Sequence, residues 1–174
     1  MPTSSAAQLV VACPTTGATR ALAAALADVA RPGDVLALFG DLGAGKTQFA
    51  KGFAAGLGVA ETVNSPTFVL MAEYDGRLRL FHLDLYRLAD ARDALAGGLI
   101  DERQADGVTV IEWAERLGSA LPEPRLEVWI SGAGDEPRTL TLRASDETTR
   151  RYLDATAAAS GGRVGRQPAR TAPP

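Results

Sequence analysis

The sequence predicts an α/β fold: a single domain with a mixed central sheet flanked by helices. Two runs, Val35-Leu36-Ala37-Leu38-Phe39 and Val108-Thr109-Val110-Ile111, are short and almost continuously apolar, as strands buried on both faces are. Helical segments alternate with these runs, and two stretches with turn punctuation add antiparallel hairpins. The length of 174 residues suits one domain with an appended tail.

In chain order, Thr15 or Thr16 can cap an alanine-rich helix over residues 17–30, stopped by Pro32-Gly33. The apolar run 35–39 forms the first expected strand. A glycine-rich turn leads into a helix from Lys46 to Leu57, closed by Gly58. A loop holding Asn64-Ser65-Pro66-Thr67 precedes strands 68–74 and 78–84, linked by the hairpin signal Asp75-Gly76-Arg77. Residues 90–104 read as a helix broken at Gly97-Gly98. The run from Val108 ends on Glu112-Trp113, and a short helix follows to Leu121, before Pro122 and Pro124. Strands 126–130 and 139–142 form a second hairpin across a long turn. The expected domain covers residues 1–144. An extension over 145–174 reads as a polar helix, then a disordered tail of Gly, Arg, Pro and Ala.

Composition narrows the function classes. At 46% hydrophobic residues the chain can build a real core. A formal charge of -3 argues against a broad basic surface that holds nucleic acid by itself, leaving only a local patch for RNA. The single cysteine, Cys13, cannot form an internal disulfide and reads as a small buried thiol in a reducing compartment. No apolar stretch approaches the roughly 18 residues that span a membrane, and the N-terminus lacks a basic-then-apolar signal pattern. A cytoplasmic location without membrane contact is expected. Of the 18 basic residues only Lys46 and Lys51 are lysines. In so arginine-rich a chain, a lysine marks a place where a planar guanidinium does not fit.

Lys46 falls in Gly40-Asp41-Leu42-Gly43-Ala44-Gly45-Lys46-Thr47, two glycines five apart followed by Lys and Thr. A buried strand comes directly before and a helix begins inside the motif. Glycines at this spacing let backbone N–H groups converge into a nest for phosphate oxygens, backed by the positive end of the helix. Lys46 would reach the β- and γ-phosphates and the Thr47 hydroxyl would ligate magnesium. The Asn-Lys-x-Asp segment that reads guanine is absent, since neither lysine follows Asn64; ATP is therefore the expected nucleotide. A magnesium-bound nucleotide also needs a carboxylate at a neighbouring strand end, and Glu112 and Asp84 are both candidates.

The phosphate loop, Ser65-Pro66-Thr67-Phe68, His82-Leu83-Asp84-Leu85-Tyr86-Arg87-Leu88 and Ile111-Glu112-Trp113, in this order and spacing, resemble the TsaE family, formerly YjeE. The resemblance spans about residues 15 to 143. It implies a single P-loop ATPase domain that uses ATP and Mg²⁺. It also implies partners, TsaB and TsaD, with which the family places threonylcarbamoyl on the adenosine beside the anticodon (t6A) of tRNAs reading codons that begin with A. On that pattern the ATPase supports or regulates TsaD without carrying out the transfer, and meets tRNA indirectly, through the complex. Carried over by motif, Lys46 binds phosphate, and Thr47 and Glu112 hold magnesium. Asp84 sits at the magnesium or positions the attacking water, and Thr67 lies in a switch-like loop that senses the γ-phosphate. Thr16 and Arg138 are expected at the nucleotide as well. Gln48 stands where the family often has a second Thr.

Other residues take plainer readings. Trp113, after a buried strand, reads as core ahead of a flank to the nucleotide or a partner; His82, the only histidine, reads as structural or hydrogen-bonded to backbone. Arg87 suits a phosphate, a partner's acid or a surface ion pair. A small-molecule kinase is the alternative enzyme, but such kinases close arginine-bearing lids over phosphates, and Arg116 and Arg125 are isolated here. A nucleotide-gated binding module is the third reading, separated from the first by how fast the isolated chain turns over ATP.

Overall fold

The computed structural model describes residues 7–161 and 164–166. The chain opens on a strand absent from the expected set: β1, Gln8–Cys13, whose alternate residues Leu9, Val11 and Cys13 are buried. Helix α1, Thr16–Ala27, follows, and the Thr15 hydroxyl caps it by accepting from the Ala18 N–H at 3.0 Å. Strand β2, Val35–Phe39, leads through the phosphate loop into α2, Lys46–Gly56. The first hairpin pairs β3, Met71–Tyr74, with β4, Leu80–Asp84. Residues 68–70, expected in its first strand, form a turn instead, closed by Leu70 N–H to the Pro66 carbonyl at 2.7 Å. The helix expected over 90–104 is only α3, Ala91–Ala96, plus a 3-10 segment, Glu102–Asp106; the Gly97-Gly98 pair divides them.

Strand β5, Val108–Glu112, is buried throughout. A 3-10 segment, Ala114–Ala120, connects it to β6, Leu126–Ser131, which forms a hairpin with β7, Arg138–Ala144. Helix α4, Arg150–Ala159, then packs against α1. Val164–Arg166, inside the span expected to be a disordered tail, forms β8 along the outer edge of β1. Residues 167–174 of that tail lie outside the described residues.

The eight strands form one sheet in the order β3-β4-β5-β2-β6-β7-β1-β8. The four central strands run parallel and the outer pairings are antiparallel, so the expected mixed α/β sheet is what forms. Alternation places Leu36 and Leu38 against α1 and α2, whereas Ala37 and Phe39 face the opposite core with Leu83, Ile111 and Leu117. Helix α4 is anchored through Asp34, whose Oδ2 accepts from the Tyr152 hydroxyl at 2.5 Å, from the Arg31 N–H at 2.8 Å and from Arg151. No described helix is long and apolar enough to cross a membrane.

The topology sets up a site. β2, at the centre, delivers the phosphate loop, while β5 and β4 end alongside with Glu112 paired to Leu38 and Asp84 paired to Glu112. Three neighbouring strands thus finish at one edge, with the first turn of α2 above them.

Candidate nucleotide-binding site

The phosphate loop is pressed against β6. At Gly40, with φ of +150°, a Cβ would collide with the Ile130 carbonyl, so no larger residue fits there. Gly45 caps α2 at φ +110°, a conformation that side chains resist. The Ala44 N–H closes the loop onto the Asp41 carbonyl at 3.0 Å. Arg138, at the start of β7, braces it from outside. Its Nε donates to the Ala44 carbonyl at 2.9 Å, and its other nitrogens donate to the carbonyls of Gly43, Gly134 and Glu136.

Lys46 is the first residue of α2 and is 4% exposed. Its Nζ donates to the Asp41 carbonyl at 3.0 Å and to that of Gly40, and lies 3.7 Å from the centre of the Trp113 ring. Burial holds its pKa below the usual lysine value, opposed by the negative charges of Glu112, Glu115, Asp84 and Asp41 in that order. The ammonium is thus held dehydrated beside several acids.

Two carboxylates share the edge but have different company. The Thr47 hydroxyl donates to Glu112 Oε2 at 2.9 Å, and His82 Nε2 meets Glu112 Oε1 at 2.7 Å. Asp84 instead gathers the loop that precedes β3. Its Oδ2 accepts from Thr67 Oγ1 at 3.0 Å and from Ser65 Oγ, while Oδ1 accepts from the Tyr86 N–H at 3.0 Å.

These groups line a cleft of about 350 Å³, within the range of small-molecule sites. Gly43, Gly45, Lys46, Thr47, Gln48, Thr67, Asp84 and Glu112 all border it, with Leu42 at its rim. A second cleft, of about 290 Å³, opens on the other side of the loop and contains Thr16, Ala44 and Arg138, sharing Gly43, Gly45 and Gln48 with the first. Thr16 and Arg138 are thereby separated from Asp84 and Glu112 by the loop itself. Gln48 borders both clefts, its amide oxygen held by Arg20 at 2.5 and 2.8 Å. Gly40 and Asp41 lie at the foot of the loop and border a further cleft with Trp129.

Trp113 is partly buried, packs against the core of Leu83, Ile111 and Leu117, and also flanks the cleft. At φ +57° and ψ +44° it turns the chain sharply after β5 and lays its ring along the cleft wall, in a tilted contact with Tyr86 at 4.9 Å. His82 is buried, but its partner is the Glu112 side chain, not backbone. Ser65 and Tyr86 are site residues that sequence reasoning did not single out, although both lie in the motifs quoted above. Arg87 lies over the exposed Phe68 ring at 4.4 Å, a contact outside the alternatives its sequence offered.

The donor set suits a hard cation bound together with phosphate. Among the described residues no three His, Cys, Asp or Glu side chains converge into a metal cage. A hydroxyl and a carboxylate oxygen 2.9 Å apart, with a second carboxylate on the same cleft, are what Mg²⁺ uses when phosphates and waters complete its shell.

The family model described as "TsaE: Threonylcarbamoyl adenosine biosynthesis protein TsaE" matches residues 13–140. A curated tRNA threonylcarbamoyladenosine biosynthesis protein TsaE from Bacillus subtilis is 50% identical over 127 residues, covering 72% of this chain and 79% of that one. The protein of the same name from Treponema pallidum is 46% identical over 110 residues, covering 63% and 82%. The crystal structure of Bacillus subtilis YdiB superposes with a TM-score of 0.73 at 37% identity, covering 88% of this chain and 96% of that one.

Proposed function

The chain belongs to the TsaE family, and we propose that it is an Mg²⁺-dependent ATPase supporting t6A formation on tRNAs that read codons beginning with A. It acts with TsaD and TsaB in the cytoplasm, reaches tRNA through that complex, and supports or regulates TsaD without catalysing the transfer. The observation that carries this reading is the juxtaposition of Lys46, Thr47 and Glu112 at the N-terminus of α2, beside the end of β5.

The residues divide the work. The backbone N–H groups of residues 43–47 and the Lys46 ammonium take the phosphates, with Lys46 exchanging its carbonyl partners for phosphate oxygens. Thr47 and Glu112 would hold the magnesium, and Asp84, on the same cleft, would complete its shell or orient a water. Bound there, Mg²⁺ would neutralise charge on the β- and γ-phosphates. Thr67 and Ser65 answer to Asp84, so the loop before β3 is positioned to sense the terminal phosphate. The nucleoside end lies on the far side of the loop, between Thr16 and Arg138, with Gln48 bridging the two clefts. The domain over residues 1–144 is the catalytic unit, and the extension from 145 buttresses it through α4.

The test is ATP hydrolysis by the purified chain, alone and with TsaB and TsaD, with Lys46→Ala as control. Weak turnover alone, a marked rise with both partners and loss in Lys46→Ala are expected. Turnover indifferent to the partners would remove the t6A assignment, and a screen for phosphate transfer to metabolites would then distinguish the small-molecule kinase. Normal hydrolysis by Lys46→Ala would remove the site itself.

A further inference from the structure

His82 is the only histidine in the chain and is fully buried on β4, two residues before Asp84. The strand register pairs it with Val110 of β5, so its ring reaches diagonally toward Glu112, two residues further along on the same face. Its Nε2 lies 2.7 Å from Glu112 Oε1, and its Nδ1 has no hydrogen-bond partner among the described residues. The proton on the neutral ring is fixed by that environment. A proton on Nδ1 would leave a buried N–H unsatisfied and set two lone pairs against each other at Nε2. With the proton on Nε2, the ring donates to Glu112 and Nδ1 keeps only an unused lone pair.

Glu112 is held from both sides. One oxygen belongs to His82 and the other accepts from Thr47, the residue on the phosphate loop's helix. A glutamate has three side-chain torsions, and nothing else in the described structure donates a hydrogen bond to this one. We propose that His82 is a positioning residue: it locks the Glu112 side chain so that Oε2 faces Thr47 and the magnesium, and so sets the affinity of the site for the metal. This rests on the reading of Thr47 and Glu112 as magnesium ligands. His82 touches neither nucleotide nor metal and acts only through the carboxylate. A buried polar side chain that merely filled the core would show no such selectivity for the metal step.

The experiment compares His82→Gln, whose amide can donate to Glu112, with His82→Met, of similar length but no donor. Nucleotide affinity is measured by calorimetry with ADP, with and without Mg²⁺, alongside the Mg²⁺ dependence of hydrolysis. In His82→Met the Mg²⁺ concentration for half-maximal effect should rise about 10–100-fold, the usual cost of losing such an outer-shell partner. ADP affinity without Mg²⁺ should stay within about twofold of native, since the phosphate nest is untouched. His82→Gln should recover most of the loss, and in a Glu112→Gln background His82→Met should add nothing further. An unchanged Mg²⁺ requirement in His82→Met, or equal loss of Mg²⁺-free ADP binding in both variants, would overturn the role of His82. A native chain in which Mg²⁺ adds nothing to nucleotide affinity would instead overturn the metal-site reading, and this proposal with it.

Discussion

The Thr47 hydroxyl donates to Glu112 Oε2 at 2.9 Å, tying the first turn of α2 to the end of β5 across 65 residues of sequence. That contact separates two carboxylates that are equivalent as strand-end acids. Glu112 answers to the phosphate-loop threonine, Asp84 to the hydroxyls of Ser65 and Thr67. If Glu112 is the direct metal ligand, Glu112→Gln keeps the shape and removes the charge where it counts. ATP hydrolysis should fall about 100-fold, the scale of removing one electrostatic stabiliser. ADP binding without Mg²⁺ should be nearly unchanged, as calorimetry would read. A variant with native turnover would transfer the role to Asp84.

Asp84 is the clasp for the loop between α2 and β3, since its oxygens accept from Ser65, Thr67 and the Tyr86 N–H. Asp84→Asn replaces a charged acceptor by a weaker one, which costs about 1.5 kcal/mol of local stability. Amide exchange over residues 65–70 should then speed up about tenfold, with exchange in β2 and β5 unaffected. Hydrolysis should fall at the same time, while ADP affinity holds. Native exchange in that loop would mean the clasp is not what orders it.

The sequence was most legible where structure is local. β2, the phosphate loop and α2 follow one another within 22 residues, from Val35 to Gly56, and each carries its own pattern. β1 was not legible, although Leu9, Val11 and Cys13 alternate. Its partner is β7, some 130 residues later, and no turn signal announces a strand that pairs so remotely. The same limit hid the tie from His82 to Glu112, 30 residues away on the next strand. Trp113 read first as core because an apolar strand runs directly into it. The left-handed backbone at that residue, which turns the ring onto the cleft, belongs to the tertiary setting and leaves no mark in composition.

Tyr152 offers a test of how α4 is attached. Its hydroxyl donates to Asp34 Oδ2 at 2.5 Å. Burial, and then Asp34, push its pKa above the ordinary phenol value of 10.0. Tyr152→Phe should cost about 1.5 kcal/mol, at the lower end for a bond to a charged group because Arg31 and Arg151 still serve Asp34. The pH dependence has a definite sign. Below pH 10 the phenol is protonated in both states and its contribution is whole. As pH rises further the unfolded phenol ionises while the folded one does not, so the native chain loses stability through this group. The stability gap between native and Tyr152→Phe should therefore close by about 1.4 kcal/mol per pH unit above 10. Denaturant titrations at neutral and alkaline pH would show it. A gap that stays constant would place the hydroxyl in solvent.

Gly52 and Gly56, one turn apart on α2, let that helix lie directly on the backbone of α1. A Cβ at Gly52 would overlap the Arg20 carbonyl and Cα, and one at Gly56 would reach the Ala24 backbone and come within 2.7 Å of the Ala27 Cβ. This accounts for the alanine-rich character of α1, which the sequence displays but does not explain. Gly to Ala inside a helix ordinarily gains up to about 1 kcal/mol. At Gly52 the overlap involves backbone, which cannot rotate away, and overpacking of this kind costs about 1–3 kcal/mol. Gly52→Ala should therefore lower the melting temperature by several degrees, at about 2–4 °C per kcal/mol for a domain of this size. Gly17, in the first turn of α1, has only Thr15 Oγ1 near a built Cβ, at 3.7 Å. There Gly17→Ala should raise the melting temperature slightly, by the ordinary helix gain. Opposite signs for two identical substitutions would establish that the crossing of α1 and α2 is set by contact at Gly52. Stabilisation by both would mean the helices stand further apart than the structure places them.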